Sequence, residues 1–454
     1  MKSLIGDKKF YRMVLIVCIP IVIQNGFTNL ASLLDNIMIG QLGTLSMSGV
    51  SISNQLFQVF NVSVFGAMSG AGIFLAQFYG RGNRDGVHHC FRIKMLLGLL
   101  ISILAICIFK ILGPSLISLY LNDDPTASLT TLNFGKQYMD VMLIGLIPFA
   151  ITQVFSSSLR ETGNTVLPMK ASVIAVIVNF CINYILIFGH FGFPKLGVIG
   201  AAIGTVVSRI VEMGINIAAG LNNNYLRDAM RLDKISGDIF KNVVKRGMPL
   251  LCNEILWSIS IALISQCYST RGLFAVAAIN VTTTVTNFFM IICYAMGNSI
   301  SIIVGQRLGA GEIEYAKDCD LKMVFMNFMM CLCIGVALFL CSSFIPQIYN
   351  TSIEVKSLAT SLLRVSACML PIISLYYSSY FTMRAGGKTL LTFFFDSGYT
   401  FMFTFMVALC LTRFTNLPIF NVYLLVQCVD IPKAVLGITL VKKGIWVHNI
   451  VNEL

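Results

Sequence analysis

Charge is scarce in this sequence. Only 11% of its 454 residues are charged, against about 25% in a soluble domain, while 56% are hydrophobic. The mean hydropathy of +0.81 and repeated apolar runs of about 20 residues exclude a soluble globular domain and place the chain in a bilayer. Paired metal- or disulfide-type cysteines are lacking as well. The 14 cysteines stand singly, with no CxxC, which argues against a disulfide framework or zinc site. The histidines (His88, His89, His190 and His448) do not cluster for a metal. There is no nucleophile elbow, no HExxH and no Walker A loop. Gly80-Arg81-Gly82 and Gly309-Ala310-Gly311 precede no Gly-Lys-Ser/Thr, so they read as helix-ending turns and not as phosphate loops. Catalysis and ATP hydrolysis are therefore not expected.

The net charge of +12 does not mark a nucleic-acid face, because the basic residues sit between the apolar runs, where they report topology. Twelve membrane helices are expected, at about 11–38, 48–79, 91–112, 134–158, 166–188, 198–220, 247–268, 273–304, 321–345, 357–383, 389–411 and 418–440. The run from Tyr11 to Ile39 is too long for a cleaved signal peptide and holds Asp35. An even helix count puts both termini on one side. That side collects Lys2, Lys8, Lys9, Arg12, Arg81, Arg84, Arg92, Lys94 and the basic residues of Leu221 to Arg246. The opposite loops clearly hold only Lys195, Arg271, Lys356 and Arg413, and one carries Asp123-Asp124. Both termini are thus expected in the cytoplasm.

The half-chain echo is the most informative feature present. Pro20-Ile21-Val22-Ile23-Gln24-Asn25 aligns with Pro249-Leu250-Leu251-Cys252-Asn253-Glu254, an offset of 229 (249 − 20). At the same offset Gln77-x-x-Gly80-x-Gly82 meets Gln306-x-x-Gly309-x-Gly311, Gly43 meets Gly272, and Phe60 meets Phe289. Leu146-Ile147-Pro148 with Arg160 to Thr165, and Met369-Leu370-Pro371 with Arg384 to Thr389, repeat with one gap. The expected fold is an all-α membrane protein of two six-helix lobes, parallel repeats related by a pseudo-two-fold along the membrane normal. The expected lobes are 1–220 and 247–454, joined by a polar, basic linker at 221–246.

A carboxylate within a membrane helix costs roughly 2.5–3.5 kcal/mol on insertion scales. Asp35, late in helix 1, and Glu254, early in helix 7, need a reason to be there. Their repeat partners are Ile264 and Asn25, so they are not copies of one another. A buried carboxylate can exchange a proton near neutral pH or coordinate a hard cation; the alternative is pairing with a buried arginine. Arg209 with Glu212 and Asp430 with Lys433, each three apart, are expected to pair along their helices. Asp396 reads as an acid near a helix end, and Asp140 and Arg364 have no assigned partner. Pro20 and Pro249 each loosen a helical turn beside Gln24-Asn25 and Asn253-Glu254. Asn179 and Asn183 share a face of helix 5, and Asn54, Gln58 and Asn61 form a polar stripe on helix 2. Such stripes face the bundle interior or a water-filled cavity, or act as interhelical glue.

At these residues the chain resembles a multidrug and toxic compound extrusion (MATE) transporter. The likeness lies in Leu34-Asp35-Asn36-Ile37-Met38-Ile39-Gly40, Arg160 to Thr165, Gly192 to Ala202, and Gln427 to Gly437 with Trp446-Val447-His448-Asn449. It implies alternating access and export of amphipathic, mostly cationic compounds against inward H+ or Na+. The coupling ion is the only cofactor expected, the partners are small organic substrates and the bilayer, and the chain is expected to be monomeric. By the same resemblance Asp35, Asn179, Asn183 and Thr205 form the coupling site, with Na+ a candidate ligand. Glu254 binds ion or substrate, and the substrate cavity or hinge takes in Pro20, Gln24, Asn25, Asn54, Gln58, Asn61, Pro249, Asn253 and Tyr376. Helix 10 carries no acid at Ile372 to Tyr377, so Glu254 lacks a partner found in other members. Rival readings are a lipid-linked sugar flippase of a related fold, a membrane sensor and an intramembrane enzyme.

Overall fold

The computed structural model describes residues 4–121, 125–231, 234–349 and 351–453. Lys2, Asp123 and Asp124 lie outside these residues. Among the described residues twelve helices are long and apolar enough to cross a bilayer. They are α1 (Lys8–Gly40), α2 (Thr44–Arg81), α3 (Arg84–Ser118), α4 (Thr126–Glu161), α5 (Val166–Phe188), α6 (Val198–Leu221), α7 (Gly237–Ser269), α8 (Leu273–Gly309), α9 (Ile313–Cys341), α10 (Ile353–Ala385), α11 (Thr389–Phe414) and α12 (Ile419–Lys442). The chain is therefore a multi-pass membrane protein. Several helices run past their apolar cores. The longest extension at one end is in α7, which takes in ten residues, 237–246, of the stretch expected to be a linker. Those residues are polar but include no helix breaker beyond Gly237, and backbone bonds carry the helix into water at little cost.

Local chemistry sets the ends. The Asn83 side chain accepts from the Gly86 amide at 2.9 Å and opens α3, and Ser352 caps α10 through the Val355 amide. Gly189, left-handed at φ 76°, closes α5. Most of α11 between Phe394 and Phe405 is wound as π-helix, with only Tyr399 between the two stretches. That winding is rare and concentrates at functional sites.

The chain divides into two compact units. The N unit holds Ile23–Leu75 and Asn83–Val244; the C unit holds the segment up to Val22, Ala76–Gly82 and the chain from Lys245 on. The borders thus run inside α1, two residues past Pro20, inside α2 and inside α7.

In the N unit, small residues bring α5 and α6 together. A Cβ on Gly200 would stand 2.7 Å from the Leu186 backbone, and one on Gly204 would stand 2.0 Å from the Asn183 side-chain oxygen. Lys94, fully buried, reaches Glu161 at 2.5 Å and Ser157 at 2.9 Å, tying α3 to α4.

In the C unit, the start of α1 (Phe10, Val14, Val17, Cys18 and Ile21) is part of a core with α8, α9 and α10 residues and Trp446. Here the repeated Gln-x-x-Gly-x-Gly explains itself. A Cβ on Gly80 would lie 1.9 Å from the Gln306 carbonyl oxygen, and one on Gly309 would lie 1.9 Å from that of Gln77. The two copies cross reciprocally, backbone to backbone, and only glycine permits it. Buried Gln77 donates to the Ala385 and His448 carbonyls and accepts from the Ile450 amide. Asn449 donates to the Leu308 carbonyl at 2.8 Å. The terminal Trp-Val-His-Asn thus seals this crossing.

Candidate functional site

Asp35 stands late in α1, half-buried, and its carboxylate accepts from Asn183 Nδ2 at 2.7 Å. Asn183 also donates to Asn179 Oδ1 at 3.3 Å, and Asn179 donates to Thr205 Oγ1 at 3.4 Å. The Thr205 hydroxyl turns back to the Ala201 carbonyl. Residues on α1, α5 and α6 thus form one chain of hydrogen bonds, which takes in Asp35, Asn179, Asn183 and Thr205 of the expected coupling residues but not Glu254. Asn183 is fully buried and its Oδ1 has no hydrogen-bond partner. Such an orphaned oxygen costs roughly 1–3 kcal/mol; it lies against Gly204 on α6. Among the described residues no lysine or arginine pairs with Asp35, so its negative charge has only amide dipoles to face. No group of three or more His, Cys, Asp or Glu converges among the described residues.

The other N-unit polar residues spread more widely. Asn54 is exposed and accepts from Tyr138 on α4 at 3.2 Å. Gln58 is exposed, and Asn61 is half-buried with its Oδ1 unpartnered. Gln24 donates to Ser172 on α5 at 2.9 Å, and Asn25 beside it is half-buried. The expected Arg209–Glu212 pair does not form. Arg209 donates to the Gly145 carbonyl at 3.3 Å and lies over the Phe149 ring, while Glu212 accepts from Ser172 at 2.5 Å. Partners on neighbouring helices offer buried geometry that an i,i+3 pair on one surface does not. Asp140 pairs with Lys110 at 2.8 Å, and Arg364 donates to Ser342 and Ser343.

The C unit gathers charge differently. Glu254 accepts from the Tyr380 hydroxyl on α10 at 3.0 Å, with Arg384 and Asp396 as charged neighbours. Asn253, 1% exposed, donates to Asp396 and accepts from the Ser397 amide and hydroxyl. Lys433, 2% exposed, pairs with Asp396 at 2.9 Å and donates to Thr400 at 3.2 Å. The expected Asp430–Lys433 pair is therefore replaced by one reaching from α12 to α11. Asp396 is an interior ion-pair partner and no peripheral acid. The π-helical winding puts Asp396, Ser397 and Thr400 into one cluster. Tyr376 lies under the Lys433 ammonium, 4.5 Å from ring centre to nitrogen. Its ring also borders a cavity of about 390 Å³ walled by Trp257, Tyr268, Tyr294, Tyr377 and Tyr423, with Asp430 and Lys433 at its polar edge. Pro249 sits in a continuous α7, half-buried. Sequence reasoning gave Lys433 the wrong partner and missed Tyr380 and Ser172. Their partners are 37, 126 and 40 residues away, beyond any spacing rule.

Comparison with known proteins decides the family. A model of the MatE family matches residues 20–185 and again 249–408, one match per half of the repeat. The chain belongs to the MatE family. It is 26% identical over 377 residues to a probable multidrug resistance protein NorM of Thermotoga maritima, covering 82% of this chain and 79% of that one. It is 23% identical to the multidrug resistance protein MdtK of Pectobacterium atrosepticum, covering 77% and 76%. Among solved structures, a MATE in complex with MaL6 superposes with a TM-score of 0.85 at 20% identity over 97% of each chain. The Vibrio cholerae MATE transporter VcmN gives 0.86 at 18% identity over 96% of this chain and 97% of that one. The all-α, twelve-span, two-lobe architecture is thus the MATE fold. As a MatE member the chain is a membrane transporter and not an enzyme.

Proposed function

We propose that this MatE protein is a secondary antiporter that exports amphipathic, mostly cationic organic compounds by alternating access, driven by inward H+ or Na+. The observation that carries this reading is Asp35, an acid in a membrane helix held by amides alone. An acid with a fixed counter-charge is already neutralised; one without it gains most from a mobile cation. Asn179, Asn183 and Thr205 orient it. The C-unit cavity has the size and aromatic walls of a site for drug-sized ligands. Asp430 on its lining supplies attraction for cations there. The relatives named as multidrug resistance proteins support the substrate class. The bias of lysine and arginine supports cytoplasmic termini, with lobes at 1–220 and 247–454, and the chain works as a monomer.

The test uses proteoliposomes with H+ and Na+ gradients imposed separately and a panel of fluorescent organic cations. Efflux driven by one of the gradients, lost in Asp35→Asn, is expected. Driven efflux that survives Asp35→Asn would show that coupling lies elsewhere.

A further inference from the structure

Glu212 is a further acid of the N-unit interior, and it is wired to α1. Gln24 Nε2 donates to Ser172 Oγ at 2.9 Å, and the Ser172 hydroxyl donates to Glu212 Oε1 at 2.5 Å. Gln24 Oε1, at the far end of the chain, is buried with no partner. Ser172 is 4% exposed, so its single hydroxyl hydrogen has these two side chains to choose between. Gln24 is also the second residue of α1 on the N-unit side of the border, four residues past Pro20. Arg209 on α6 and Arg160 on α4 are the charged groups facing Glu212, yet neither forms an ion pair with it among the described residues.

We propose that Glu212 is a second proton-carrying carboxylate, and that the Gln24–Ser172–Glu212 chain transmits its protonation to α1 beyond Pro20. The reading rests on the antiport function proposed above. An O–H bond forms on Glu212 with a proton taken from water. The acid then donates to Ser172 Oγ, and Ser172, keeping its own hydrogen, swings it to Gln24. The Gln24 amide turns over so that Oε1 accepts, which satisfies the buried oxygen. Deprotonation returns the proton to water and restores the first arrangement. In one state Gln24 gives a hydrogen bond, in the other it receives one, so the α1 segment carries two discrete arrangements selected by one proton. Asp35 lies three turns further along the same helix, so both acids act on α1.

Two measurements test this on the full-length protein. Infrared difference spectra in lipid, with pH stepped across neutrality, should show a carboxyl stretching band that is absent in Glu212→Gln. The band should remain in Asp35→Asn and shift in frequency in Ser172→Ala. Identical bands in the wild type and Glu212→Gln overturn the assignment. In proteoliposomes Glu212→Gln should lower gradient-driven accumulation about tenfold while gradient-free substrate exchange persists, and Glu212→Asp should recover the driven rate. Driven transport equal to wild type, with the same pH profile, overturns the link to α1. Should Glu212→Gln not fold, Ser172→Ala decides both readouts. A wild-type protein that answers to neither gradient defeats the antiport reading, and the infrared band still decides whether Glu212 carries a proton.

Discussion

Asp35 in the N unit and Asp396 in the C unit are held in opposite ways. In the N unit, Asp35 is met by an amide on α5 and the polar chain behind it, with no fixed cation paired to it among the described residues. In the C unit, Asp396 is closed by a buried lysine, an asparagine and a π-helical turn, and Glu254 leans on a tyrosine. Both arrangements satisfy a carboxylate, but they differ in what remains to be done. A carboxylate with a permanent ammonium partner offers little to a mobile ion, while one oriented by dipoles still carries a net charge.

That contrast is broken most strongly at Lys433. Lys433→Ala leaves Asp396 buried without its counter-charge, and loss of one partner of a buried pair costs about 3–5 kcal/mol. A large drop in melting temperature in detergent is expected, largely restored when Asp396→Asn is added. A single variant as stable as the wild type would mean that the pair is not structural. Asp35→Asn is expected to do the reverse, holding its melting temperature while gradient-driven transport falls about 100-fold. Differential scanning fluorimetry alongside vesicle efflux separates the two outcomes, and a collapse in stability would place Asp35 with Asp396 as a structural acid.

Smaller changes sharpen the comparison. Asn183→Asp sets a second acid beside Asp35, and a roughly fivefold stronger dependence of efflux on external Na+ is expected. An unchanged Na+ response would show that Asn183 does not face the ion. Tyr380→Phe removes one hydrogen bond to Glu254, worth about 1 kcal/mol. It should change substrate affinity by a few-fold and leave the coupling ratio intact; a changed ratio would move Glu254 from substrate to ion.

The spans, the repeat and the shared face of Asn179 and Asn183 were legible in the sequence because each rests on a short-range rule. Apolar length marks a span, and Asn179 and Asn183 share a face because they are four apart. Even the Gln-x-x-Gly-x-Gly copies announced themselves, although their crossing at the Gln77 and Gln306 backbones was not visible. The charge pairs failed for one shared reason. Arg209 with Glu212 and Asp430 with Lys433 are good neighbours on an isolated helix, where such a pair is worth only about 0.2–0.5 kcal/mol. In a packed bundle a carbonyl, a serine or an aspartate on the next helix competes in a poorly screened interior and wins.

Linear information alone determined that this is a twelve-span duplicated membrane transporter with unmatched acids in its two halves, because hydropathy, glycine and proline act within a few residues along the chain. Only the tertiary structure decided which acids already have a partner. Lys433 reaches Asp396, Tyr380 reaches Glu254 and Ser172 reaches Glu212 from other helices, and helix packing sets which side chains can meet across an interior where burial makes every unpaired polar atom costly.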